Sequence, residues 1–94
     1  MFVRFYIDPE TDLPHIYKHD VDEAEVEDVL YNVAEDRQGQ DGSRLAIGQT
    51  SGGRYLRVIY VPEADSLFVV TAYELTPKAL AAFKRRRAKK GGKA

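Results

Sequence analysis

The 94-residue chain has no cysteine and no tryptophan, and its one methionine is the first residue. Without cysteine there is no disulfide framework, no thiolate metal site and no cysteine nucleophile. Long apolar runs are missing as well. None approaches the ~20 residues needed to span a bilayer, and the opening MFVRFYIDPE has neither the basic start nor the apolar core of a signal peptide. A cytoplasmic protein with no membrane partner is expected. Histidine is scarce, at two residues, His15 and His19. Four apart, they would share a helix face. A zincin motif needs Glu after the first His, and Ile16 stands there with no third ligand evident. Asp8, Glu10 and Asp12 have the opening spacing of a calcium loop, but Leu13 replaces its glycine and His19 its last glutamate. No metal and no cofactor is expected.

What is present is the composition of a small globular domain, 44% hydrophobic and 31% charged. A chain of this length buries about 60–65% of its unfolded surface, enough for one core. The net charge of −1 hides an asymmetry. Residues 1–36 hold two cations and eleven acids, a balance of −9; residues 37–94 hold twelve cations and four acids, a balance of +8. Seven of those cations fall between Lys84 and Lys93 with no acid among them. Such a split implies an acidic partner for the basic half, pairing within the chain, or pairing across a homodimer.

FVRFYI (2–7) is β-branched and aromatic and predicts a strand. DPETDLP (8–14) reads as a turn-rich loop. A helix is predicted over 21–32, where Asp22 caps, Glu25 completes a capping box and Val21 staples onto Val26. Val26, Val29 and Leu30 give it a buried stripe, while Glu23, Glu25, Glu27 and Asp28 are expected to face water. Strands follow at 33–38, 43–50, 54–61 and 67–73, separated by GQDG, SGG and PEAD turns. The last of them, LFVVTAY, is nearly all apolar and reads as a central strand. Thr76 then caps a second helix with Pro77 in its first position. The order is β-α-β-β-β-β-α, an α+β fold with a meandering antiparallel sheet. One domain is expected over 1–87, followed by a basic, frayed tail at 88–94 where the apolar pattern stops.

Lys18 and His19, just before the first helix, are candidates for a phosphate anchor and a proton-transfer group. Arg44, Arg54 and Arg57 fall on neighbouring strands, interleaved with Tyr55, Tyr60 and Tyr73. Arginines with aromatics on a sheet suit RNA, because guanidinium groups bind phosphate and rings stack on splayed bases. One or two cations would satisfy the end of the second helix. The run containing Lys84, Arg85, Arg86 and Arg87 exceeds that need and points to an anionic partner.

Three segments together resemble the BrnT-like toxins and a related group of small uncharacterised domains. They are HIYKHDVDEAEVEDVL, RLAIGQTSGGRYLRVIYV and LFVVTAYELTPKALAAFKRR. The shared pattern is Lys–His before a helix, a strand ending in Ile-Gly, a Gly-Arg turn, a strand closing in Thr/Ser-Ala and a basic last helix. It covers about residues 15–87. The resemblance implies a RelE-like fold with a curved antiparallel sheet. It also implies a metal-independent ribonuclease of a type II toxin–antitoxin pair, with RNA as substrate and an acidic antitoxin as partner. Lys18 and His19 match the Lys–His motif, Gly48 the Ile-Gly end, Arg54 the Gly-Arg turn and Ala72 the Thr/Ser-Ala position. BrnT-like sequences commonly place Arg after that Ala, and here Tyr73 stands there, followed by Glu74. His19, Arg54 and Tyr73 are thus the expected catalytic set; Lys18, Arg44, Arg57 and Lys84 to Arg87 are the expected RNA contacts. The alternative is a non-catalytic RNA- or protein-binding module of the same fold, which the missing Arg favours.

Overall fold

Asp22 starts the first α-helix, α1 (Glu23–Tyr31), by accepting a hydrogen bond from the Glu25 backbone N–H at 2.9 Å; the Glu25 side chain returns one from the Asp22 N–H at 3.2 Å. Two orphan donors are satisfied by this capping box. The helix buries Val26, Val29 and Leu30, and Val21 ahead of it is buried as well. These features agree with the sequence reading. The computed structural model, which describes residues 2–91, places α1 in a mixed α+β fold. The strands are β1 (Phe2–Phe5), β2 (Ile7–Asp8), β3 (Leu13–Pro14), β4 (Glu35–Gln38), β5 (Arg44–Gln49), β6 (Tyr55–Pro62) and β7 (Ser66–Glu74). The last helix is α2 (Pro77–Gly91).

Five strands form one sheet in the order β1-β7-β6-β5-β4. From β4 to β7 it is the expected antiparallel meander. The expectation of a wholly antiparallel sheet is corrected at β1, which runs parallel to β7 with Phe2 opposite Ser66 and Phe5 opposite Val69. A parallel neighbour needs a long crossover, and everything between those two strands supplies it. β7 therefore has a strand on both sides, in keeping with its apolar sequence. Short elements that the sequence reading did not include lie at the expected 8–14 loop and just after it. β2 and β3 pair as a hairpin, Ile7 with Pro14 and Asp8 with Leu13. A 3-10 helix spans His15–His19 and ends at Asp20, whose φ of 60° is left-handed. Its Ile16 is buried in the core.

The sheet has two unlike faces. Ala46, Leu56, Val58, Val69 and Ala72 point toward α1 and form the main core with Ile16, Val26, Val29 and Leu30. Gly48 lets the helix come this close. A Cβ there would lie 3.1 Å from Val29 Cγ1 and 3.2 Å from the Asn32 carbonyl oxygen. On the opposite face, Ile47 packs with Leu75 and Phe83, joined by Tyr55, Ala34, Ala79 and Leu80. Thr76 Oγ1 accepts from the Ala79 N–H at 3.1 Å, which caps α2 as predicted. The helix runs on to Gly91, past the Arg87 at which the apolar pattern stops. Residues 92–94 of the expected tail, with Lys93, lie outside the described residues.

Candidate functional site

Arg57 on β6 lies between Ile47 of β5 and Tyr73 of β7 in register. Residues directly opposite one another share a face of the sheet, so Arg57 and Tyr73 stand side by side on the face away from α1. β1 pairs with β7 only as far as Val69. Beyond it, the 3-10 helix packs against β7. This brings the His19 ring edge-on to Tyr73, with centroids 5.9 Å apart. The His15 ring is edge-on to His19 at 5.4 Å, and Tyr6 lies 6.1 Å from His15. Four rings thus run from the end of β1 to β7.

A buried carboxylate anchors one end of this row. Asp8 is 4% exposed. Lys18 Nζ lies 2.8 Å from its Oδ2, the Glu10 N–H donates to Oδ1 at 2.9 Å, and His15 Nδ1 lies 3.2 Å from Oδ2. The Lys18 hydrogen bond, with lesser help from Glu10 and His15, holds the Asp8 carboxyl at about 2, below its ordinary value. Asp8 in turn pushes Lys18 upward. Asp8 and His15 were not among the site residues expected from sequence. The signal was there in the two residues, but it needed the β2–β3 hairpin to fold one toward the other, and two-residue strands leave no periodicity to read.

The sequence-predicted cations divide into two groups. Arg54 is tied into the fold. Its Nη1 donates to both Glu25 carboxylate oxygens at 2.9 and 2.8 Å and to the Asp20 carbonyl at 2.9 Å, and its Nη2 to Glu74 at 3.3 Å. Glu25 was expected to face water and instead holds this arginine. Arg44 donates to Asp36 at 2.9 Å. Arg86 makes two 2.8 Å bonds to Glu35, and Arg87 donates to the Ala34 carbonyl at 2.7 Å. Lys18 belongs with this group through Asp8. Part of the charge asymmetry therefore closes within the chain, since Glu25, Glu35 and Asp36 come from its acidic part. Arg57 differs. Among the described residues it has no ion pair, and its Nε is shielded from solvent without a hydrogen-bond partner, as is the nearby Thr71 Oγ1. On α2, Lys84 and Arg85 are exposed, with Lys84 Nζ 5.5 Å from the Tyr55 ring centroid.

His19, Tyr73 and Arg57 are thus brought together, while Arg54 turns toward α1 and the end of β7. Among the described residues no group of three or more His, Asp or Glu side chains is placed to hold a metal ion, and no helix is long and apolar enough to cross a membrane. No curated protein and no solved structure matches the chain. One family does match, over residues 15–74, from the start of the 3-10 helix to the end of β7; it contains His15, His19, Arg57 and Tyr73 and excludes Asp8 and α2. The chain belongs to that family, described as a domain of unknown function, DUF4258.

Proposed function

We infer that the chain is a RelE-like, BrnT-like ribonuclease toxin acting in the cytoplasm. The observation that carries this reading is Arg57. It is an arginine without an acidic partner among the described residues, beside Tyr73, whose ring meets that of His19, on a sheet whose other arginines are paired. An unpaired guanidinium is ready to meet a phosphate, and a paired one must first give up its carboxylate. RNA would cross the face away from α1, with Lys84 and Arg85 continuing the basic path. The 2′-hydroxyl attacks the adjacent phosphorus, and Arg57 stabilises the charge that develops on the phosphorane-like transition state. His19 is within the site for proton transfer, with Tyr73 in contact with its ring. An acidic antitoxin would cover the exposed cations of α2.

The second reading, a binding module without cleavage, is favoured by one observation. Tyr73 stands where the BrnT-like pattern has Arg, and Glu74 after it pairs with Arg54, so the end of β7 carries a tyrosine and an acid and lacks that cation. Growth of cells expressing the protein from a tight promoter separates the two, with a His19→Ala/Arg57→Ala variant alongside. The toxin reading predicts arrest by the wild type, relief in the variant, and RNA cleavage by the purified wild type. Soluble wild-type protein that neither arrests growth nor cleaves RNA would overturn it. Arg54→Ala is unsuitable for this test because Arg54 holds α1 to the sheet.

A further inference from the structure

The sequence offers no evident acid–base pair, yet the fold assembles one. His15 and His19 are adjacent rings on the 3-10 helix, centroids 5.4 Å apart. Only one of them is fixed by a carboxylate. Asp8 lies 3.2 Å from His15 Nδ1, whereas His19 touches Tyr73 and has no hydrogen-bond partner among the described residues. A structural role for Asp8 does not require His15. Lys18 at 2.8 Å already balances its charge, and the Glu10 N–H at 2.9 Å already satisfies its other oxygen. The third contact serves the histidine instead. It fixes the proton on Nδ1 and leaves the Nε2 lone pair free, as a carboxylate does for the base of a hydrolytic triad. The His15 side chain is about 30% exposed, so a substrate can reach part of the ring.

We propose that His15, oriented by Asp8, is the general base of RNA cleavage and that His19 is the general acid. This rests on the ribonuclease reading and extends it. The 2′-hydroxyl O–H bond breaks and its proton passes to Nε2 of neutral His15. The 2′-oxygen bonds to phosphorus. The bond from phosphorus to the 5′-oxygen breaks as the His19 imidazolium gives that oxygen a proton. The products are a 2′,3′-cyclic phosphate and a 5′-hydroxyl end. One proton has moved onto His15 and one off His19, and no further reactant is needed. Asp8 is a positioning residue, held in place by Lys18.

The test uses the purified full chain and single-stranded RNA, with a second RNA carrying a bridging 5′-sulfur at the bond that the wild type cuts. A thiolate leaves without a proton, so the second substrate needs the base but not the acid. On ordinary RNA, His15→Gln and His19→Gln should each lose about 10²–10⁴-fold in rate. On the sulfur-bridged RNA, His19→Gln should recover to within about 10-fold of wild type, and His15→Gln should not. Asp8→Asn should lower kcat with little change in KM, and Asp8→Glu should restore part of it; this pair also serves if His15→Gln does not fold. Wild-type cleavage with His15→Gln within about 3-fold of it, or with Asp8→Asn unimpaired, overturns the proposal and leaves the ribonuclease reading standing. Equal rescue of both histidine variants overturns the division of roles. A folded wild type that cleaves neither RNA overturns the ribonuclease reading itself, and this proposal with it.

Discussion

On the side of the sheet toward α1, Ala46, Leu56, Val58, Val69 and Ala72 have no exposed surface. On the other side, Arg57, Ile59, Thr71 and Tyr73 of the same two central strands are half-buried. Alternation along a strand supplies both rows, but a helix seals only one. The apolar side chains of α2 reach Ile47 and Tyr55 and leave the centre of their face to the arginine and the tyrosine. The two faces have different tasks. The first holds the molecule together by removing apolar surface from water. The second keeps a cation and an aromatic ring at an open surface, an arrangement that adds little to stability and suits a ligand.

The difference can be broken most forcefully in the core. Leu56→Ala should cost about 2–5 kcal/mol. Ile59→Ala, three residues along the strand and on the other face, should cost about 1 kcal/mol, because only part of its side chain leaves water. Urea unfolding of both variants measures the contrast. Equal losses would mean that the second face is as tightly packed as the first.

A smaller effect separates two arginines of the segment RYLR. Arg54→Ala leaves Glu25, Glu74 and the Asp20 carbonyl without their donor, and should destabilise by about 1–3 kcal/mol, less than a fully buried pair because both partners are partly solvated. Arg57→Ala removes no ion pair and should change stability by less than about 0.5 kcal/mol. The same melts report both. A large loss at Arg57 would give it a structural role instead.

That pair also shows where the sequence stops being informative. Capping residues act within one turn, so Asp22 with Glu25 and Thr76 with Pro77 could be read directly; alternation revealed β5 and β6, and a nearly unbroken apolar run revealed β7. Whether an arginine has a carboxylate waiting depends on contacts such as Arg54 with Glu25, 29 residues apart. Nothing in RYLR distinguishes its two cations. The parallel pairing of β1 was hidden for a similar reason, because it depends on where the chain returns after five intervening strands. The hairpin and the 3-10 helix were hidden by their shortness. Their effect was large, since they bring Asp8 to His15 and His19 to Tyr73.

The weakest effect concerns acid. Asp8 titrates at about 2 in the folded chain, below its ordinary value near 3.9 in an unfolded one. Its folded value is the lower one, so the stability it brings is complete above about pH 4 and is lost as pH falls through about 2. Asp8→Asn should flatten the fall in urea midpoint over that window. A fall as steep in the variant as in the wild type would show that the Lys18–Asp8 pair does not couple folding to pH.

The central claim is that RNA lies on the half-buried face around Arg57. The most direct measurement is the affinity of a labelled single-stranded RNA across a salt series, for the wild type and for Arg57→Ala. The account predicts weaker binding by the variant at low salt and a log–log salt slope shallower by about 0.7, the loss of one phosphate contact. Unchanged affinity and an unchanged slope, in a variant that melts like the wild type, would contradict it.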